Sequence, residues 1–163
     1  MLRWLHLFKN YYIGLSFVGI IVFVVQEIPY MVMPLMKLHS NPIMDMHNET
    51  AWITGLQTAV GILTMLMLML TVKDDEYIFS LTATREKISF FFMTMMIVIN
   101  FIGWGLYYLG HQISWLIVIT QFATVPLYYM FYGLWKNNYL IVGSAAVFFV
   151  IHTINGSLNF IVN

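Results

Sequence analysis

The sequence contains no cysteine, and only 9% of its 163 residues are charged. The absence of cysteine excludes disulfides, thiolate catalysis and cysteine-ligated metals. Seven lysines and arginines balance seven aspartates and glutamates, so the composition does not predict a basic face for nucleic acid. Because a soluble domain carries about 25% charged residues, the charge present here is too small to solvate a globular surface.

Sequence patterns of known catalytic sites are also missing. The chain has no H-E-x-x-H, G-x-S-x-G, Walker or dinucleotide-binding pattern. An intramembrane metalloprotease would need several histidines and a pair of glutamates, and bis-histidine haem ligation needs two histidines at matching depth. The long apolar runs contain one glutamate and one histidine. We therefore expect neither an enzyme nor a bound cofactor.

Long apolar runs dominate what the sequence does contain. It is 61% hydrophobic, with a mean hydropathy of +0.81. A membrane-spanning helix needs about 20 predominantly apolar residues, and no signal-peptidase cleavage site follows the first run. The sequence predicts an all-α, polytopic integral membrane protein, a five-transmembrane-helix bundle forming a single domain over residues 1–163. The predicted spans are 11–36, 51–72, 88–109, 113–135 and 138–160.

The distribution of lysine and arginine sets the expected orientation. Lys37 alone falls on one side of the predicted membrane, and six others fall on the opposite side, at Arg3, Lys9, Lys73, Arg85, Lys87 and Lys136. Because cytoplasmic loops are rich in lysine and arginine, we expect the N-terminus in the cytoplasm and the C-terminus outside. The expected location is the cell membrane, with the lipid bilayer as one partner.

Glu27 lies within the first predicted span, directly after Gln26 in an otherwise apolar run. An ionisable side chain in hydrocarbon costs at least ~2.5–3.5 kcal/mol on the insertion scale most tolerant of charge. It therefore requires a partner, a proton or a water-filled cavity. His152 on the fifth span is the expected partner, and a Glu27–His152 pair would respond to pH.

Each predicted helix gathers its small and polar residues on one face. Helical neighbours recur at three and four residues, and on the third span this spacing selects Ser89, Met93, Met96, Asn100, Gly103 and Tyr107. On the fifth span it selects Ala145, Phe148, His152, Asn155 and Asn159. On the first span it selects Ser16, Gly19, Phe23, Glu27, Tyr30 and Pro34.

Residue depth brings polar side chains from all five spans into one layer in the outer half of the membrane, at a rise of ~1.5 Å per residue. Around Glu27 this layer contains Gln57, Asn100, Gln121, His152 and Asn155. Pro29, Pro34 and Pro126 fall beside it, and each frees a backbone carbonyl that can line a cavity.

This layer predicts an outward-facing pocket, centred on Glu27, that binds or transports a small amphipathic or cationic molecule. Neighbouring aromatic rings would suit such a ligand through cation–π contact. The predicted ligand-binding residues are Glu27, Gln57, Asn100, Gln121, His152, Asn155, Tyr30, Trp104 and Tyr107. In the alternative interpretation, the amides only hold the helices together, at ~0.6 kcal/mol each.

The loop after the first span carries three residues of metal-ligand type. Asp45, His47 and Glu49 alternate there, but their spacing matches no recognised metal motif. We interpret this segment as a solvated loop and expect no metal site.

Two stretches resemble a known family. Asn100-FIGWGLYY and the C-terminal Leu158-Asn159…Asn163 are loosely similar to the third and fifth helices of the TspO tryptophan-rich sensory family. That resemblance implies a ligand sensor, although the family's W-x-P-P-rich first loop is missing. Another alternative is an accessory, immunity-type or sensor protein that acts through protein partners, as a homo-oligomer or with another membrane protein.

Overall fold

The computed structural model describes residues 2–47, 50–74 and 77–162, so Glu49 and Asn163 lie outside the described residues. Five helices in it are long and apolar enough to cross a membrane, which confirms the prediction of a multi-pass helical protein. They are α1 (Phe17–Val32, continued by a 3₁₀ turn at Met33–Met36), α2 (Ala51–Leu70), α3 (Thr84–Tyr108), α4 (Ser114–Trp135) and α5 (Tyr139–Phe160).

A small antiparallel sheet departs from the all-α prediction. Its strands are β1 (Leu2–Phe8), β2 (Tyr11–Leu15) and β3 (Thr71–Lys73), in that order. The first span was therefore predicted to begin too early. Residues 11–15 are apolar, but they are also aromatic and β-branched, and strands pair with them on both sides.

The sheet joins the beginning of α1 to the end of α2. Ser16 caps α1 by accepting the Gly19 N–H, and its own backbone N–H donates to the Met69 carbonyl at 2.8 Å. A Cβ on Gly19 would lie 1.9 Å from the Leu68 carbonyl oxygen, so only glycine allows the two helices to approach this closely. We call this part of the bundle, with the connection between α4 and α5, the sheet end.

α4 is the central helix, because it packs on both α3 and α5 and has the most buried span. Its middle turn, Val118–Ala123, is π-helical between the α-helical turns Ser114–Ile117 and Thr124–Trp135. Pro126 has no N–H to donate to the preceding turn. In the π-helical turn the Thr120 carbonyl accepts from the side chains of Asn100 and Thr124, both at 2.6 Å.

The predicted faces agree with the buried faces on two helices and differ on α1. All six selected residues of α3 are buried, as are Ala145, Phe148, His152 and Asn155 of α5. On α1 the buried residues are Gly19, Val22, Gln26 and Pro29, so Glu27 lies half-buried at the edge of that face. A neutral amide costs less to bury than a carboxylate, which favours this rotation of the helix.

Candidate functional site

A cavity of about 340 Å³ lies between α1, α2, α4, α5 and the loop that joins α1 to α2. Its volume is near the lower limit of small-molecule sites, roughly 300–1,000 Å³. Among the described residues that line it, Glu27 is the one carboxylate and there is no lysine or arginine. The lining residues are Gln26, Glu27, Tyr30, Ile43, Met46, Gln57, Thr58, Gly61, Ile62, Met65, Phe122, Val125, Phe148 and His152.

Glu27 reaches this cavity from the middle of α1. Its carboxylate makes no hydrogen bond or ion pair with any other residue that the structure describes. The preceding residue, Gln26, is only 1% exposed and accepts a hydrogen bond from the Tyr129 hydroxyl at 2.7 Å. The buried amide therefore fixes the rotation of α1, and that rotation places the adjacent carboxylate at the cavity wall.

His152 lies between two phenylalanine rings on the opposite wall. The ring centroids of Phe122 and Phe148 are each 4.7 Å from that of the imidazole. Small residues make room for both rings, because a Cβ would lie 3.2 Å from Phe148 at Gly61 and 2.5 Å from Phe122 at Gly156. The imidazole Nδ1 is buried and has no hydrogen-bond partner in the described part of the chain.

The expected pair between Glu27 and His152 is not formed. Both side chains line the cavity, but no hydrogen bond or ion pair joins them. The stacking of the imidazole between Phe122 and Phe148 accounts for the difference, since it fixes the ring against α4 rather than α1.

Gln57 and Asn155 form the polar part of the wall between α2 and α5. The Asn155 amide donates to Gln57 Oε1 at 2.6 Å, and Asn155 Oδ1 accepts from Thr54 at 3.4 Å. Asn155 is fully buried and does not line the cavity, whereas Gln57 does. We therefore assign Asn155 a positioning role, in which it orients the Gln57 amide.

Asn100 and Gln121 lie outside the cavity lining, although the sequence placed both in the same layer. Asn100 donates to the Thr120 carbonyl and so joins α3 to α4. Gln121 is fully buried, and neither polar atom of its side chain has a hydrogen-bond partner among the described residues. The contact between Asn100 and Thr120 is of the kind that holds helices together.

The three predicted aromatic residues take different places. Tyr30 lines the cavity, and Trp104 packs edge-on against it with ring centroids 4.7 Å apart. The Tyr107 hydroxyl donates to Asn41 Oδ1 at 2.7 Å and accepts from the Ile43 backbone N–H at 3.2 Å. Trp104 thus supports the Tyr30 ring, and Tyr107 holds the loop that covers the cavity.

Sequence reasoning did not select several lining residues. Gln26 carried a usable signal, because an amide in an apolar helix requires a hydrogen-bond partner. The sequence carried no such signal for Phe122, Ile43 or Met46, because apolar side chains in or beside a span are expected in any case. Phe148 had been placed on the polar face of its helix but not in the site.

The loop residues considered as metal ligands do not form a cluster. Asp45 and His47 are exposed, and Glu49 falls outside the description. Over residues 2–47, 50–74 and 77–162 no group of three histidine, aspartate or glutamate side chains could hold a metal ion.

Comparisons with protein-family models, with curated proteins and with solved structures give no match for this chain.

Proposed function

We propose that this chain binds or transports a small amphipathic or cationic molecule in the cavity beside Glu27. The observation that carries the proposal is the Glu27 carboxylate, which lines the cavity and has no partner among the described residues. A buried or half-buried charge normally has a partner, because isolated charge is costly at low dielectric. A cationic ligand would supply that partner.

The remaining lining supports a ligand with one cationic group and an apolar body. Tyr30 presents an aromatic ring one helical turn from Glu27, where a cation can contact both. Gln57 offers an amide from the facing helix. The rest of the wall is mainly apolar, and it carries no lysine or arginine among the residues described, which disfavours an anionic ligand.

We further propose that the cavity lies in the outer half of the cell membrane. Arg3, Lys73 and Lys136 are all at the sheet end of the bundle, whereas Lys37 follows α1 at the opposite end. The abundance of basic residues in cytoplasmic segments favours a cytoplasmic sheet end. In this orientation the N-terminus is cytoplasmic and the cavity lies closer to the outer surface.

The experiment compares dodecylamine with dodecanol on the full chain in phosphatidylcholine nanodiscs. We expect dodecylamine to raise the Tm of the parent protein and dodecanol to leave it unchanged, because only the amine can pair with the carboxylate. In Glu27→Gln the response to dodecylamine should be lost.

Asp45→Asn is the matched control, since it removes one exposed carboxylate from the loop beside the same cavity. That variant should respond to dodecylamine as the parent does. An equal response of Glu27→Gln and the parent would overturn the proposal, as would equal responses to the amine and the alcohol.

A further inference from the structure

The cavity has a side opening between α1 and α2. Thr58 and Ile62 of α2 line the cavity and are exposed, Ile62 to 53%, and half-buried Glu27 lines the cavity from α1. Glu27 lies ten residues after Phe17 and Ile62 eleven residues after Ala51, so both are near the middle of helices long enough to cross a membrane. Exposure at that depth is exposure to lipid.

The two ends of the same cavity are covered by the protein itself. Toward the sheet end, Gly19 packs directly on the Leu68 backbone and brings α1 and α2 into contact. Toward the opposite end, Ile43 and Met46 of the connecting loop line the cavity as a cover.

Hydrogen bonds to α3 and the segment after it hold this cover in place. The Tyr107 hydroxyl bonds both Asn41 and the Ile43 backbone, and the Gln112 amide donates to the Ser40 carbonyl at 2.9 Å. Of the described residues that line the cavity, Thr58 and Ile62 are the exposed ones, and they lie on the α2 side of the gap beside Glu27.

We propose that the cavity is loaded from the bilayer, through the gap between α1 and α2, by a single-chain cationic amphiphile. This inference rests on the proposed function and specifies its ligand class and its route. The cation pairs with Glu27 beside the Tyr30 ring, and the alkyl chain passes between Ile62 and α1 into the lipid. A cavity of about 340 Å³ then needs to hold only the head group and the first part of the chain.

Bulky substitutions at the gap test whether the bound alkyl chain passes through it, because a larger side chain there would weaken the equilibrium binding of the amphiphile. In nanodiscs, Ile62→Trp should raise about tenfold or more the dodecylamine concentration that gives half of the maximal rise in Tm. Leu63→Trp is the matched control, because Leu63 is the next residue on α2, is similarly exposed at 47% and does not line the cavity. Thr58→Phe, on the same rim, provides a second variant should Ile62→Trp fail to fold.

Butylamine and a cover variant separate this inference from the proposed function. Butylamine has the same cation but a chain too short to remain in lipid, so Ile62→Trp should weaken its effect less than that of dodecylamine. Equal weakening of both amines, or weakening in Met46→Trp alone, would overturn lateral loading. If neither amine shifts the parent Tm, the proposed function itself fails, whereas equal responses of the parent and every gap variant overturn only the route.

Discussion

The sheet end and the cavity both contain charged side chains within the fold, but these side chains differ in the partners that they have. At the sheet end, Lys136 is only 6% exposed, and its Nζ donates to the Tyr77 and Ile78 carbonyls at 2.8 Å each. It also lies over the Trp135 ring, 4.2 Å from the centroid. At the cavity, Glu27 has no such partner among the described residues.

This contrast separates polar groups that stabilise the fold from those that can bind something else. A buried charge whose hydrogen bonds are made within the chain contributes to one specific packing. A charge without partners leaves its desolvation uncompensated, and the chain retains it at a cost in stability. The following predictions compare the two regions, starting with the largest expected effect.

Gly19→Val should disrupt the sheet end most strongly. The added Cβ would lie 1.9 Å from the Leu68 carbonyl oxygen, so α1 and α2 must separate. We expect a loss of about 3 kcal/mol or more, the upper part of the range for overpacking, measured as a lower Tm in detergent. Gly105→Ala is the control, because nothing lies within 4 Å of its added Cβ; an equal loss in both variants would contradict the close contact.

Lys136→Met should lower the stability of the fold, whereas Glu27→Gln should not. Removing the lysine leaves two carbonyls without their charged donor, at a cost of about 1.5–3 kcal/mol. Removing the carboxylate takes a costly charge out of the membrane span, so without ligand Glu27→Gln should be neutral or stabilising. Equilibrium unfolding of both variants measures the difference, and a destabilised Glu27→Gln would mean that the carboxylate has a structural partner.

Tyr129→Phe should destabilise the cavity wall by about 1–3 kcal/mol, because it leaves the buried Gln26 oxygen without its donor. The change also loosens the rotation of α1, so dodecylamine should raise the Tm of this variant less than that of the parent. Tyr77→Phe removes a hydroxyl from a side chain that is 74% exposed and should change neither quantity. Parental stability in Tyr129→Phe would rule out the bond to Gln26 as a structural contact.

A small pH effect is expected at the sheet end, above neutral pH. The Tyr12 hydroxyl donates to Asp74 Oδ2 at 3.1 Å, and this bond raises the pKa of Tyr12, with Arg3 acting in the opposite sense. Because the pKa is higher in the folded state, the stabilisation is present below about pH 10, the unfolded value, and is lost as pH rises through the folded pKa. Tyr12→Phe should remove this dependence from unfolding curves measured across that range.

Hydropathy predicted the five helices well, because long apolar segments carry their own signal. It failed at residues 11–15, since an apolar strand and an apolar helix turn have similar composition, and what distinguishes them is pairing with residues 2–8 on one side and with residues 71–73 on the other. The second pairing joins parts of the chain about sixty residues apart, and no local pattern contains it.

The sequence predicted several residues of the candidate site, but it did not predict how they are arranged. Glu27, Tyr30, Gln57 and His152 share a cavity, as their depths suggested. The pairing of Glu27 with His152 was wrong because side-chain depth does not predict the stacking of the imidazole between Phe122 and Phe148. The rotation of α1 was also beyond sequence reasoning, since it depends on the bond between Gln26 and Tyr129, which are 103 positions apart in the chain.

The pairing of β2 with β3 has a mechanical consequence for α1 and α2. Each helix is directly continuous with one of these strands, and Ser16 is bonded to Met69 at their junction. The two helices therefore share a pivot, and any widening of the space between them is a rotation about it rather than a parallel separation. For helices of 20 residues, or about 30 Å, a rotation of roughly 5° displaces the far ends by about 2.5 Å. A small rotation at the pivot therefore gives a displacement of the helices that increases with distance from the sheet, past Glu27.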